Sequence, residues 1–186
     1  MRTSLGWILL AWMTACGSDR PQTSPYAGMS SASVPSLTAQ EVDDLLAGRG
    51  LGMARAAELN GYPGPRHVLD LRSELGLDQA TVEGAEQLFE EMKSEAQPLG
   101  AHVVALEKSL GEAFASQSVD ESALSERVGA LAELMGQLRG VHLRAHIRMK
   151  ELLTPEQVAR YQELRGYPAS SSAGSRAATA AHNHAR

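Results

Sequence analysis

Apolar residues recur three and four apart through the middle of the chain. On a first arm they are Val82, Ala85, Phe89, Met92, Ala96, Leu99, Val103, Leu106, Leu110 and Ala113, and on a second Leu124, Val128, Leu131, Met135, Leu138, His142, Ala145, Met149 and Leu152. This spacing predicts two long amphipathic helices meeting along a narrow seam, as in an antiparallel coiled coil. Asp78 and Asp120 are placed to cap the two arms, and the link Ser116-Gln117-Ser118-Val119 is short enough to force antiparallel pairing. The first arm would be about 38 residues, or roughly 57 Å, long. Pro98 and Gly100 fall inside its pattern without shifting the register, which predicts a kink rather than a break.

Shorter helical signals flank this hairpin. Thr38 and Glu41 form a Thr-x-x-Glu capping box ahead of Val42, Leu45 and Leu46. Gly48, Gly50 and Gly52 weaken the helix before Met53 to Leu59 resume it, and the run from Asn60 to Pro65 reads as a turn. Pro65 suits the start of a helix carrying His67, Val68, Leu71 and Leu75, with Gly76 as its stop. Thr154-Pro155-Glu156-Gln157 begins a last helix whose apolar face is Val158, Tyr161 and Leu164 and whose end is Gly166. No strand-like alternation occurs. The expected fold is all-α, a long antiparallel hairpin from Leu77 to Leu164 within a helical domain of residues 37–167. Residues 16–36 and 168–186 are rich in Ser, Pro, Gly, Thr and Ala and read as a flexible tether and a disordered tail.

Composition narrows the partners. Aromatic residues make up 4% of the chain against 43% hydrophobic, so the core is aliphatic and thin, which favours burial completed by dimerisation. The formal charge is −5 with no basic block, which argues against nucleic acid. The N-terminus reads as a signal peptide over residues 1–15: a basic start at Arg2, an apolar run from Leu5 to Met13, and small residues before Cys16. That run is shorter than the roughly 20 residues a membrane-spanning helix needs. Met13-Thr14-Ala15-Cys16 resembles a bacterial lipobox, with Met13 where Leu is usual, so Cys16 is expected to become the lipid-modified first residue. Gly17 and Ser18 after it point to the periplasmic side of the outer membrane, with membrane attachment through the lipid only. Cys16 is the single cysteine, so no intramolecular disulfide can form.

Leu153-Thr154-Pro155-Glu156-Gln157 matches the Leu-Thr-x-x-Gln motif of the Spy/CpxP family, and Leu153, Thr154 and Gln157 are the residues that carry it. The resemblance covers roughly residues 65–167. At the first long helix, where the family repeats the motif, Leu77-Asp78-Gln79-Ala80-Thr81 keeps the Leu and a cap but lacks the Gln. The family includes periplasmic refolding chaperones, envelope-stress regulators and heavy-metal sensor or resistance proteins of the CnrX and ZraP type. The resemblance therefore implies a homodimer that binds unfolded clients without nucleotide, engages an envelope signalling protein, or senses a metal. Its chaperone members use a positively charged concave face, whereas removal of the signal peptide, with Arg2 as its only charge, leaves this chain at about −6.

No catalytic constellation is present: there is no Gly-x-Ser-x-Gly, no phosphate loop and no spare cysteine, so enzymatic activity and a required cofactor are not expected. The best chemical candidate is His142, His146 and Met149, which helical spacing places on one face, with Glu90 or Glu86 of the facing arm to complete a site. Two imidazoles at i and i+4 suit Zn, Cu or Ni, and a thioether favours softer ions. The alternative is that His142 is a hydrogen-bonded seam residue and His146 an exposed one between Arg144 and Arg148. His102 falls roughly 13 Å along the hairpin from His142. His67 reaches that level only if its short helix folds against that end. Two functions follow: a client-binding chaperone or envelope-stress protein, and a divalent-metal sensor or resistance protein.

Overall fold

The computed structural model describes residues 23–29 and 34–167. Cys16, the signal peptide and the tail lie outside the described residues. Two compact units divide the chain, Met1–Ser31 and Ala32–Arg186. In the first, a 3₁₀ turn spans Ala27–Met29, with Ser24 Oγ accepting from the Tyr26 amide at 3.2 Å.

The described residues of the second unit form six helices: α1 Ala39–Leu46, α2 Arg55–Glu58, α3 Pro65–Asp70, α4 Gln79–Ala115, α5 Glu121–Leu152 and α6 Pro155–Leu164. No strand occurs among the described residues, and the fold is the all-α hairpin that the periodicity predicts. The starts of four helices are fixed locally. Thr38 and Thr154 form complete capping boxes with Glu41 and Gln157, and the Asp78 and Asp120 carboxylates accept from the amides of Thr81 and Ala123 at 2.8 Å each. Pro98 lies inside α4 without ending it. Its missing N–H costs the Ser94 carbonyl its partner, and both residues lie on the exposed face where water can replace it.

The burial pattern departs from a narrow seam. Val128 and Met135, seam positions in the first half of α5, are 49% and 38% exposed, whereas Leu88, Val141 and His146, off the seam, are buried. The cause is tertiary. Helices α1 and α3 pack on α4, and α2 and α3 on α5, so a third layer covers the open end of the hairpin and widens the face it buries. One core cluster gathers Val68, Leu75, Ala85, Leu88, Ala145, Met149, Leu153 and Tyr161; a second gathers Leu45, Ala96, Val103, Leu131, Leu138 and Val141. Met92 packs against both.

The N-terminal layer runs along α4 from tip to open end. Val34 is buried, Pro35 lies against Gly111, and the Ser36 hydroxyl donates to Glu107 Oε2 at 2.6 Å. Contacts with α4 therefore already occur at Val34 to Ser36, within the segment read as tether. Farther along, Leu45 presses its carbonyl on Gly100, where a Cβ would stand 2.1 Å from the oxygen. Helix α3 is shorter than its sequence pattern, ending at Asp70, and Leu71 to Gly76 continue as turns closed by Gly76 at φ +59°.

Candidate functional site

The covered end of the hairpin is locked by one carboxylate. Glu58, at the end of α2, is 9% exposed. Its Oε1 accepts a short hydrogen bond from the Tyr161 hydroxyl of α6 and a second from Tyr167 at 3.3 Å, and Arg165 Nε lies 3.5 Å away. His67 Nδ1 of α3 sits 3.5 Å from the same oxygen, an ion-pair distance without hydrogen-bond geometry. On the other side, His146 Nδ1 of α5 is 3.6 Å from Oε2 and donates to the Tyr62 carbonyl at 2.7 Å. Burial opposes ionisation of Glu58, but the contacts from His67 and Tyr161 and the charges of His67 and His146 outweigh it and hold the carboxyl below its usual range. Burial and the adjacent carboxylate push the Tyr161 phenol up, so it stays protonated and keeps donating. Helices α2, α3, α5 and α6 are thus joined through one side chain.

Two glycines allow the backbone to close on the histidines. A Cβ at Gly64 would meet His146 Cε1 at 2.9 Å, and one at Gly50 would meet His142 Nδ1 at 3.1 Å. His142 is 4% exposed, and burial, then the neighbouring His146, lower its pKa, so it is neutral near pH 7.

Beside this lock opens a cavity of about 940 Å³. Its apolar wall is Leu51, Leu59, Phe89 and Met92; Glu58, His67, His142 and His146 form another part of its lining; and Arg49, Arg55, Arg66 and Lys93 add four cations against the carboxylates of Glu58 and Asp70. Leu51 and Leu59 are 37% and 54% exposed. A chain of net charge −5 therefore carries a local excess of positive charge around an apolar concavity.

The structure brings His142 and His146 together here and adds His67, because α3 does fold against this end. The other nominated donors stand apart. Met149 is fully buried in the core cluster with Val68 and Tyr161, and Glu90 is an exposed residue 3.9 Å from Lys93 that does not line the cavity. Among the described residues no group of three or more His, Cys, Asp or Glu is placed to hold a metal ion. His102 is exposed and is not part of the lining. The exposed reading of His146 fails, since it is 8% exposed. Leu153 joins the core, while Thr154 and Gln157 complete the cap of α6 and so set the helix that presents Tyr161 to Glu58. The residue that sequence reasoning missed is Glu58. One signal was available: it is the only acidic side chain between Asp44 and Asp70, in a helix too weak to need it.

No protein-family model matches the chain, and neither characterised proteins nor solved structures give a match.

Proposed function

We propose that the protein is an exported, lipid-tethered binding protein of Spy/CpxP type that holds unfolded polypeptide without nucleotide, acting as a homodimer at the periplasmic side of the outer membrane. One observation carries this reading: the cavity joins exposed Leu51 and Leu59 to Phe89 and Met92, with Arg49, Arg55, Arg66 and Lys93 in the same lining. Apolar surface left open and rimmed by charge is what a client-binding site requires. The acidic net charge is no obstacle, because the charge that a client meets is local. The test is suppression of aggregation of a denatured client at stoichiometric amounts. Protection that weakens in Leu51→Ser/Leu59→Ser supports the reading, and failure to protect any client removes it.

A second reading, a divalent-metal sensor or resistance protein, is favoured by the meeting of His142 and His146 with His67 and Glu58 on one cavity. Calorimetry with Zn²⁺, Cu²⁺ or Ni²⁺ on protein lacking residues 168–186 tests it. Heat that disappears in His142→Ala/His146→Ala supports metal binding; absence of heat in the parent protein ends it.

A further inference from the structure

The cations around the cavity are not equivalent. Arg49 is paired with Asp44, and Arg66 is paired with Asp70 at 3.0 Å while lying over the Phe89 ring at 5.9 Å. Lys93 has only Glu90 at 3.9 Å, a pair between two exposed side chains that contributes little in water. The Arg55 side chain makes no hydrogen bond or ion pair with any described residue; it folds over Gly52, whose Cβ position would be 3.1 Å from its guanidinium. The carboxylates of the lining are already matched, Asp70 by Arg66 and Glu58 by its own partners. Arg55 and Lys93 are therefore the positive charges still available to a ligand, and they flank the wall of Leu51, Leu59, Phe89 and Met92.

A second observation separates peptide from lipid. Three buried side-chain atoms lack any hydrogen-bond partner within the described protein, Glu58 Oε2, His67 Nδ1 and His142 Nε2, and all three belong to residues of this one cavity. An acyl chain brings no polar group to such atoms, whereas a peptide main chain brings both donors and acceptors. Gly50 rests against His142, its Cβ position 3.1 Å from Nδ1, in a stretch where Gly48 and Gly52 have positive φ, so glycine lets this segment of the lining lie close to the ring.

We infer that the cavity selects peptide segments in which an acidic residue adjoins a large apolar one, with Arg55 and Lys93 reading the acid. This rests on the client-binding reading and adds its specificity. The probes are three labelled ten-residue peptides differing only at a central Asp-Phe-Asp, Asn-Phe-Asn or Lys-Phe-Lys, titrated into the full chain by fluorescence anisotropy. Two such contacts predict about tenfold tighter binding of the Asp than of the Lys peptide at low salt, a ratio that shrinks as salt is raised. In Arg55→Glu/Lys93→Glu the order reverses, and in the gentler Arg55→Ser/Lys93→Ser it vanishes; both variants alter exposed or half-exposed side chains, and circular dichroism verifies their fold. Equal binding of all three peptides, or an unchanged ratio in both variants, overturns the selectivity while leaving client binding in place. Binding of none of them, together with failure to protect any client, overturns both. Displacement of bound peptide by phosphatidylglycerol vesicles more effectively than by excess unlabelled peptide assigns the cavity to lipid and also overturns the inference.

Discussion

Gly100→Ala sets two effects of opposite sign against each other. In the interior of α4, alanine in place of glycine favours the helix by about 1 kcal/mol. Here, however, the new Cβ would stand 2.1 Å from the Leu45 carbonyl oxygen, 2.7 Å from its carbon and 3.2 Å from its Cα. Ordinary contact begins at 3.4 Å, so the end of α1 must retreat by more than 1 Å. The obstacle is backbone, which no rotamer change relieves. Leu45 is 1% exposed, and moving it loosens the cluster it shares with Ala96, Val103 and Leu138. Overpacking of this kind costs about 1–3 kcal/mol, and partial loss of a buried leucine adds to it. The expected net effect is a loss of about 2 kcal/mol, or roughly 8 °C in Tm for a domain of this size. Gly129→Ala is the control: Gly129 lies in α5 with nothing within 4 Å of its Cβ position, so there the helix term acts alone and stabilises by up to about 1 kcal/mol. Urea and thermal unfolding, followed by circular dichroism at 222 nm, measure both. If Gly100→Ala stabilises as much as Gly129→Ala, α1 does not rest on α4 at Gly100 and the packing argument fails.

Three further outcomes follow. Because His142 has a folded pKa below its unfolded value of 6.5, the unfolded chain binds the proton first as pH falls, so stability held above pH 6.5 is lost below it, and His142→Gln flattens the slope between pH 7.5 and 5.5 in urea titrations. Glu58 adds a second loss below pH 4.5, again because its folded pKa is the lower one. Tyr161→Phe removes a donor to a buried carboxylate and is expected to cost about 1.5–3 kcal/mol, with Glu58→Gln in a similar range or above it; a cost below about 0.5 kcal/mol for both, the range of ordinary surface substitutions, refutes the lock. Thr154→Ala breaks the α6 capping box and is expected to cost about 1 kcal/mol in the same assay, whereas Thr154→Ser retains most of the stability.

The long helices, their caps and the passage of α4 through Pro98 were legible because each depends on residues within a turn or two of one another. The same holds for Thr154 and Gln157, whose reciprocal bonds span three residues. The lock was not legible. Tyr161 reaches Glu58 across 103 residues and His146 reaches Tyr62 across 84, and no periodicity encodes such a meeting. Met149 illustrates the limit from the other side. Its spacing places it on the same helix face as His146, but whether a thioether there meets a ligand or a core depends on α3 and α6, which cover it with Val68 and Tyr161. Val128 and Met135 share the seam spacing of Leu131 and Leu138 yet stay exposed, and the apolar pattern alone does not distinguish them. Gln117, at φ +55°, is likewise invisible in a pattern that marks the link only by its length.

The claim that polypeptide binds in this cavity, rather than on exposed apolar surface in general, has a direct measurement. A photo-crosslinking side chain is placed in turn at Leu59, in the cavity lining, and at Val128, near the hairpin tip; these residues are 54% and 49% exposed, so accessibility is matched. Irradiation with a reduced, permanently unfolded client should give the crosslinked product at position 59 and several-fold less at 128. Equal yields at the two positions, or product at 128 alone, would contradict the account.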